Sequence, residues 1–278
     1  MADILKLAIC QMLIGSDKSA NLAHAGQMVD EAAQNGAQIV VLPEIFSIPY
    51  QTDLMVKHAE VCPGPTTFYL ADLARSNRVI LVGGSIPEKD KEGRIFNTSF
   101  IFDEQGLLIG KHRKMHLFDI DIPGQMTFRE SEKLSAGNSL EVVQHPALKL
   151  AVIICYDIRF PELVRWAVLE GAQLLVVPAA FNMTTGPAHW EILFRNRAVD
   201  NQLFVAAASP ARNIGSSYQA WGHSMIVDPW GTVIGQAGSD ETILYADLDL
   251  DMIGRVRQQL PLLSHRRTDL YRFCYPSP

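Results

Sequence analysis

The stretch LKLAVIICYDIRFPE, residues Leu148–Glu162, decides the architecture. Its first eight residues are apolar on both faces apart from Lys149. That is the pattern of a strand covered by other layers on both sides. Pro161 follows six residues after Cys155, and a proline at the first turn of a helix costs nothing because its missing N–H would be unpaired there anyway. The reading is a buried strand over Leu148–Cys155, a sharp turn, and a helix over Pro161–Glu170.

Working outward, the same alternation recurs along the chain. Short β-branched runs predict strands at Leu5–Gln11, Gln38–Pro43, Val79–Ser85, Thr98–Asp103, Gln173–Pro178, Leu203–Ala208, His223–Asp228 and Ile243–Leu248. Helical patterns fall at Ser19–Gln34, Thr66–Ser76, Pro187–Asn201 and Met252–Gln259. The first of these stops at Asn35-Gly36, a good C-terminal signal. Three pairs of segments also echo one another in order: KLAIC with KLAVIIC, AQIVVLPEIF (37–46) with AQLLVVPAAF (172–181), and FIFDEQGLLIG (100–110) with MIVDPWGTVIG (225–235). Apolar strands resemble one another in any case, but three in order favour duplication. The expectation is an α/β fold of two similar halves, sheet packed on sheet with helices outside. No linker separates the halves, so residues 1–278 are expected to form a single domain, with an arm from about 260 to 278.

Composition excludes several classes. Hydrophobic residues make up 48% and charged residues 19% of the 278, which suits a globular chain with a large core. The net charge of −6 gives no basic surface for nucleic acid. No apolar run approaches the roughly 20 residues that span a bilayer, and MADILKLAIC reads as a first strand rather than a signal peptide. Cys10, Cys62, Cys155 and Cys274 lie far apart, so they suggest free thiols in a reducing, cytoplasmic compartment rather than a disulfide scaffold or a zinc site. His112 and His116, four apart, lack an acidic or thiol companion at ligand spacing, and no metal is expected.

Three residues invite chemistry. A nucleophile at the carboxyl end of a buried strand is presented at a turn whose following N–H groups can hold an oxyanion, which is where Cys155 falls; a buried inert thiol fits that position equally. Glu44 ends the apolar run IVVLP, a place where a carboxyl group can be dried and its pKa raised toward that of a general base. Lys114, in GKHRKMHLFD, could favour a thiolate and stabilise an oxyanion, or belong to a solvated basic loop.

LPEIF, GKHRKMHLFD and ICYDIRFPE, in that order, resemble the Glu, Lys and Cys motifs of the nitrilase (carbon–nitrogen hydrolase) superfamily. The similarity runs through GPAHWEILFRNRAVDNQLFV and WGHSMIVDPWG and so covers essentially the whole chain. It implies a four-layer αββα sandwich, no metal and no organic cofactor. It also implies Cys155 as nucleophile, Glu44 as general base, Lys114 and the Tyr156 backbone N–H as oxyanion donors, and Glu130 as a second glutamate that positions the lysine, with Glu132 as its neighbouring competitor. MHLFDIDIPGQMTFRESEKLSAG is most similar to the omega-amidase branch, whose substrates are short dicarboxylic acid monoamides. A free carboxylate on the substrate needs a cation, and Arg159 is placed to pair with it, or else to brace Asp157 or a subunit contact. Phe181 and Thr185 are implied pocket residues. The resemblance further implies self-association, as a homodimer or higher, through the helix with His189, Trp190 and Arg197 and the one after Arg159. A deaminated-glutathione amidase, an N-carbamoyl amidohydrolase and a catalytically silent binding protein remain as alternatives.

Overall fold

The computed structural model describes residues 4–124 and 126–273. In chain order the elements are β1 (Ile4–Gln11), α1 (Lys18–Gln34), β2 (Ile39–Val41), α2 (Thr52–Lys57), α3 (Pro65–Asn77), β3 (Ile80–Val82), β4 (Ile86–Lys89), β5 (Ile95–Phe102), β6 (Leu108–Arg113), β7 (Asp119–Ile122), β8 (Met126–Arg129), β9 (Val142–His145), β10 (Leu148–Val152), a 3-10 turn at Cys155–Arg159, α4 (Pro161–Leu169), β11 (Leu174–Pro178), α5 (Gly186–Asn201), β12 (Phe204–Ala208), β13 (Met225–Val227), β14 (Val233–Gln236), β15 (Thr242–Asp249) and α6 (Asp251–Gln259).

Two large sheets carry the same plan. One runs β15-β1-β2-β3-β5, with β4 and β6 also paired to β5; the other runs β9-β10-β11-β12-β13-β14. In each, a central parallel trio (β1, β2, β3; β10, β11, β12) is flanked by antiparallel strands. The hairpins β5–β6 and β13–β14 even share an irregularity, at Ile101/Phe102 and Ile226/Val227, positions that the echo of FIFDEQGLLIG in MIVDPWGTVIG aligns. The duplication expected from the sequence is therefore present in the strand topology.

Each strand alternates its side chains between two apolar layers. Leu7, Ile9, Val41 and Val82 of the first sheet meet Leu150, Val152, Val176 and Ala206 of the second in the central core. Ala8, Cys10, Val40 and Leu81 point the other way, onto Met28 and Val29 of α1 and Leu70 of α3. Ala151, Leu175 and Val205 point outward onto Leu163 and Val164 of α4 and Trp190 and Phe194 of α5. The layers are thus helix, sheet, sheet, helix, as expected. At its start α1 is capped by Asp17, whose carboxylate accepts from Ala20 N at 2.7 Å. At its end Gly36 takes φ +85°, a conformation glycine adopts without a Cβ clash.

The expected elements are all present, with shifted ends. The strand predicted to reach Cys155 stops at Val152, because the chain must leave the sheet to form the 3-10 turn. GKHR, for which the sequence offered a solvated basic loop as the structural alternative, lies in β6 up to Arg113. The β7–β8 hairpin was not anticipated; DIDI alternates Asp with Ile, but the run is only four residues long and its two isoleucines are only half-buried. Of the expected arm, Gln202 Nε2 holds Leu260 O at 2.5 Å, Leu270 and Tyr271 are exposed, and the last five residues, Cys274 among them, lie outside the described residues.

Candidate active site

The site forms where the carboxyl ends of β2 and β11, one from each sheet, approach each other. β2 runs out through Leu42-Pro43 into Glu44, and Ile45 adopts φ +49°, rare for a β-branched residue. Ser85 holds that bend: its Oγ accepts from Ile45 N at 3.0 Å. From the opposite sheet, the chain beyond β11 brings Ala180 N to Glu44 Oε2 at 2.8 Å.

Lys114 arrives by the alternation of β6. Lys111 and Arg113 turn outward to pair with Glu88, whereas His112 and Lys114 turn inward and are buried. Lys114 Nζ donates to Glu44 Oε1 at 3.1 Å, to Glu130 Oε1 at 3.0 Å and to Tyr50 Oη at 3.3 Å. Glu130 follows β8 and is pinned by Phe118 N, which donates to its Oε2 at 2.7 Å. Its neighbour Glu132 faces outward, 4.0 Å from Arg129, so geometry selects Glu130 of the two. Glu44, Lys114 and Glu130 have no exposed surface, and Cys155 is 5% exposed.

Cys155 sits at φ +46° at the head of the 3-10 turn. A non-glycine residue in this region is strained and persists only where its surroundings enforce it. The first hydrogen bond inside the turn runs from Asp157 N to Ile154 O at 3.0 Å, so the amides of Cys155 and Tyr156 precede it, as unpaired N–H groups do at a helix start. Cys155 and Glu44 are close enough that the carboxylate charge raises the thiol pKa.

The electrostatics follow from burial. Drying raises Glu44 above the usual carboxylate range, against the lowering by Lys114 and with support from Glu130. Burial alone would lower Lys114, but Glu130 and Glu44 outweigh it and keep the ammonium protonated well beyond its ordinary range. Lys114 does act toward the thiolate, lowering the Cys155 pKa, but burial first and then the Glu44 charge outweigh it and push the thiol well up. Burial thus favours the protonated form of both groups.

Arg159 does not brace Asp157. Its guanidinium lies over the Phe181 ring at 4.8 Å and the Tyr156 ring at 5.6 Å, and its Nη1 meets His189 Nδ1 at 3.1 Å. Among the described residues no carboxylate lies within ion-pair distance of it. Burial lowers its pKa, partly countered by Cys155, Tyr156 and Tyr218. Phe181 is 3% exposed and also packs on Trp190. Thr185 is not brought to the reacting groups; its hydroxyl is donated to Asn182 Oδ1 at 3.1 Å at the head of α5.

Sequence reading missed Tyr50, Asn97 and Tyr218. Tyr50 Oη bridges Glu44 Oε1 at 3.1 Å and Glu130 Oε1 at 2.5 Å. Asn97 Nδ2 donates to Glu44 Oε1 at 2.9 Å, and Tyr218 stacks on Tyr50 with ring centroids 4.6 Å apart. The signal for Asn97 was its polarity within the apolar run IFNTSFIF of β5. Tyr50 and Tyr218 stand on loops, where no periodicity marks them. With Glu44 and Ala180, these two tyrosines line a small cleft closed by Pro49 and Ala211.

The model of the carbon–nitrogen hydrolase family matches residues 6–258. The chain is 52% identical over 266 residues to the Omega-amidase NIT2 of Bos taurus, spanning 96% of both. The structure of Saccharomyces cerevisiae Nit3, a member of branch 10 of the nitrilase superfamily, matches with a TM-score of 0.88 at 44% identity, covering 95% of this chain and 97% of that one. A variant amidase of Nesterenkonia sp. AN1, with the acetamide moiety of fluoroacetamide added covalently at its active site cysteine, matches with a TM-score of 0.80 at 26% identity over 96% of this chain and 95% of that one. With a sandwich of two like sheets and a buried Glu–Lys–Glu–Cys cluster at their junction, this chain belongs to the carbon–nitrogen hydrolase family.

Proposed function

We propose that the protein is an omega-amidase that hydrolyses the terminal amide of short dicarboxylic acid monoamides, such as α-ketoglutaramate, α-ketosuccinamate and succinamate, through a Cys155 thioester. The observation that carries this reading is the pairing of a thiol–carboxylate couple, Cys155 with Glu44, with a nearby arginine that has no acidic partner among the described residues. The relatedness to the bovine omega-amidase supports the same substrate class, and the covalent adduct at the cysteine of the Nesterenkonia amidase supports the nucleophile.

The steps use the groups that converge on this site. Cys155 Sγ attacks the amide carbon while its proton passes to Glu44 Oε. Lys114 Nζ and the Tyr156 N–H receive the negative charge that develops on the carbonyl oxygen. Glu44 returns the proton to the nitrogen, the C–N bond breaks, and ammonia leaves. Glu44 then takes a proton from water, whose oxygen attacks the thioester; the C–S bond breaks, and the acid and the thiol are restored. Glu130 and Tyr50 hold Lys114 and Glu44 in register, and Arg159 binds the distal carboxylate as a guanidinium fork over the Phe181 ring. Thr185 borders that end of the pocket.

The test is ammonia release from succinamate and α-ketoglutaramate, with asparagine and glutamine as amino-bearing controls, by the wild type and by Cys155→Ala. Release from the monoamides alone, abolished by the substitution, is expected. No release from any of the four by folded protein sinks the substrate assignment and turns attention to carbamoyl and peptide-like amides.

The reading extends to a cytoplasmic enzyme of one domain that needs no cofactor, uses neither nucleic acid nor membrane, and self-associates as a homodimer or higher. Support for self-association comes from α5, where Ile192 and Val199 stand exposed beside Trp230. Among the described residues no helix is long and apolar enough to cross a membrane. Sedimentation velocity at micromolar concentration checks the assembly, and a single monomeric species counts against it.

A further inference from the structure

Asp157 is buried completely and lies two residues past the cysteine, yet it takes no part in the chemistry set out above. Its Oδ2 accepts from Ile154 N at 3.0 Å and meets His112 Nε2 at 2.9 Å. Its Oδ1 accepts from His116 N at 2.9 Å and meets His116 Nδ1 at 2.7 Å. One carboxylate therefore grips both sides of Lys114, at positions 112 and 116, and both sides of Cys155, at positions 154 and 157.

The grip is ionic in character. Burial would raise the Asp157 pKa, but the hydrogen bonds from His112 and His116, with the Ile154 amide, hold it far below the usual carboxylate range. His112 Nδ1 is buried without a hydrogen-bond partner. Nε2 is therefore the ring nitrogen through which His112 engages the protein, and its partner is Asp157. His116 stacks on Phe160 with centroids 3.7 Å apart, fixing the far end of the turn as well. From the other side Arg197 Nε donates to Ile158 O at 3.0 Å. The strained left-handed conformation of Cys155 thus has an identifiable cause. The lysine-bearing strand end and the cysteine-bearing turn are tied to a single buried anion.

We infer that Asp157, through His112 and His116, is a positioning residue that sets the distance and angle between the Cys155 thiol and the Lys114 ammonium. The inference rests on the proposed roles of Cys155 and Lys114. Misplacing reacting groups by about 1 Å costs on the order of 100-fold in rate.

The test uses the full chain and four variants: Cys155→Ala, Asp157→Asn, His116→Phe and His116→Asn. Asp157→Asn keeps the shape but places an amide N–H₂ against donors that need an acceptor. His116→Phe keeps the stack on Phe160 and loses the ring donor, whereas His116→Asn keeps a side-chain donor. Expected are a fall in kcat of about 100-fold for Asp157→Asn with KM for succinamate little changed, a parallel fall in the alkylation rate of Cys155 by iodoacetamide, a smaller kcat loss for His116→Phe, and partial recovery in His116→Asn. Folded Asp157→Asn with wild-type kcat and alkylation overturns the inference. Should Asp157→Asn fail to fold, wild-type kcat in His116→Phe overturns it instead. Full activity in Cys155→Ala overturns the proposed function itself, whatever the Asp157 variants do.

Discussion

Glu44 follows a strand of one sheet of the sandwich and Ala180 a strand of the other, and the Ala180 amide donates to Glu44 Oε2 at 2.8 Å. Each carboxylate oxygen of Glu44 is thereby committed. Oε2 takes an amide from the opposite half, and Oε1 takes Asn97, Lys114 and Tyr50 from its own. An acceptor-only group is required here, because its partners arrive as donors.

Glu44→Gln follows directly from that arrangement. The amide N–H₂ must oppose either the Ala180 amide or the donors around Oε1, and the proton acceptor for the thiol is lost. General-base loss typically costs on the order of 10²–10⁴-fold in rate, and a buried donor left facing a donor costs about 1–3 kcal/mol. Ammonia release and urea unfolding of the variant are expected to show both effects. A variant retaining a tenth or more of wild-type kcat would remove Glu44 from the base role.

The reach of the sequence can be judged from the same residues. IVVLPE and VIICYD marked Glu44 and Cys155 because a long apolar run ending in a polar residue is a local pattern, and the order of the echoes announced the doubled sheet. Lys114 was ambiguous, since KHRK alternates between two faces that only the pairing of β6 with β5 separates. Tyr50 and Asn97 were invisible as partners of Glu44. Their contacts depend on where a loop and a strand 53 residues away come to rest, and no periodicity encodes that. His112 and His116 drew attention as a possible metal pair, and what they bind is Asp157, whose approach is likewise a tertiary event.

The central core gives a stability prediction independent of the chemistry. Leu150 has no exposed surface and lies between the sheets. Leu150→Ala removes buried methyl groups where two sheets cannot easily collapse into the void, and substitutions of this kind cost about 2–5 kcal/mol. The urea midpoint is expected to fall accordingly, while kcat of the remaining folded protein stays within a few-fold of wild type. A change below about 1 kcal/mol would contradict the packing described.

Acidity should act through Glu44 and Cys155 together. Glu44 must be ionised to receive the thiol proton, and its pKa stands above the usual carboxylate range because burial penalises the anion. Lowering the pH therefore protonates it sooner than a free glutamate, so kcat/KM falls along an acid limb centred above about 4.3. Cys155, pushed up by burial and by Glu44, holds its proton past the usual thiol range. Its alkylation by iodoacetamide should keep rising beyond pH of about 8.5 rather than level off near neutrality. A plateau reached below that value would mean a resting thiolate and a different proton inventory.

Arg159 separates recognition from chemistry. It lies outside the Glu44–Lys114–Glu130 cluster, is held against the Phe181 and Tyr156 rings, and among the described residues its Nη1 meets His189 Nδ1 rather than a carboxylate. A guanidinium so placed has bidentate capacity to spare, and a hydrogen bond between charged groups is worth about 1.5–3 kcal/mol. Arg159→Ala should therefore raise KM for succinamate by roughly 10- to 100-fold. The same variant should treat an uncharged short amide such as propionamide as the wild type does, because that substrate offers nothing to the guanidinium. Arg159→Lys, a point charge without the planar fork, should fall between them. Equal losses on succinamate and propionamide would assign Arg159 to the support of the Cys155 turn, and the carboxylate site would have to be sought elsewhere along the cleft.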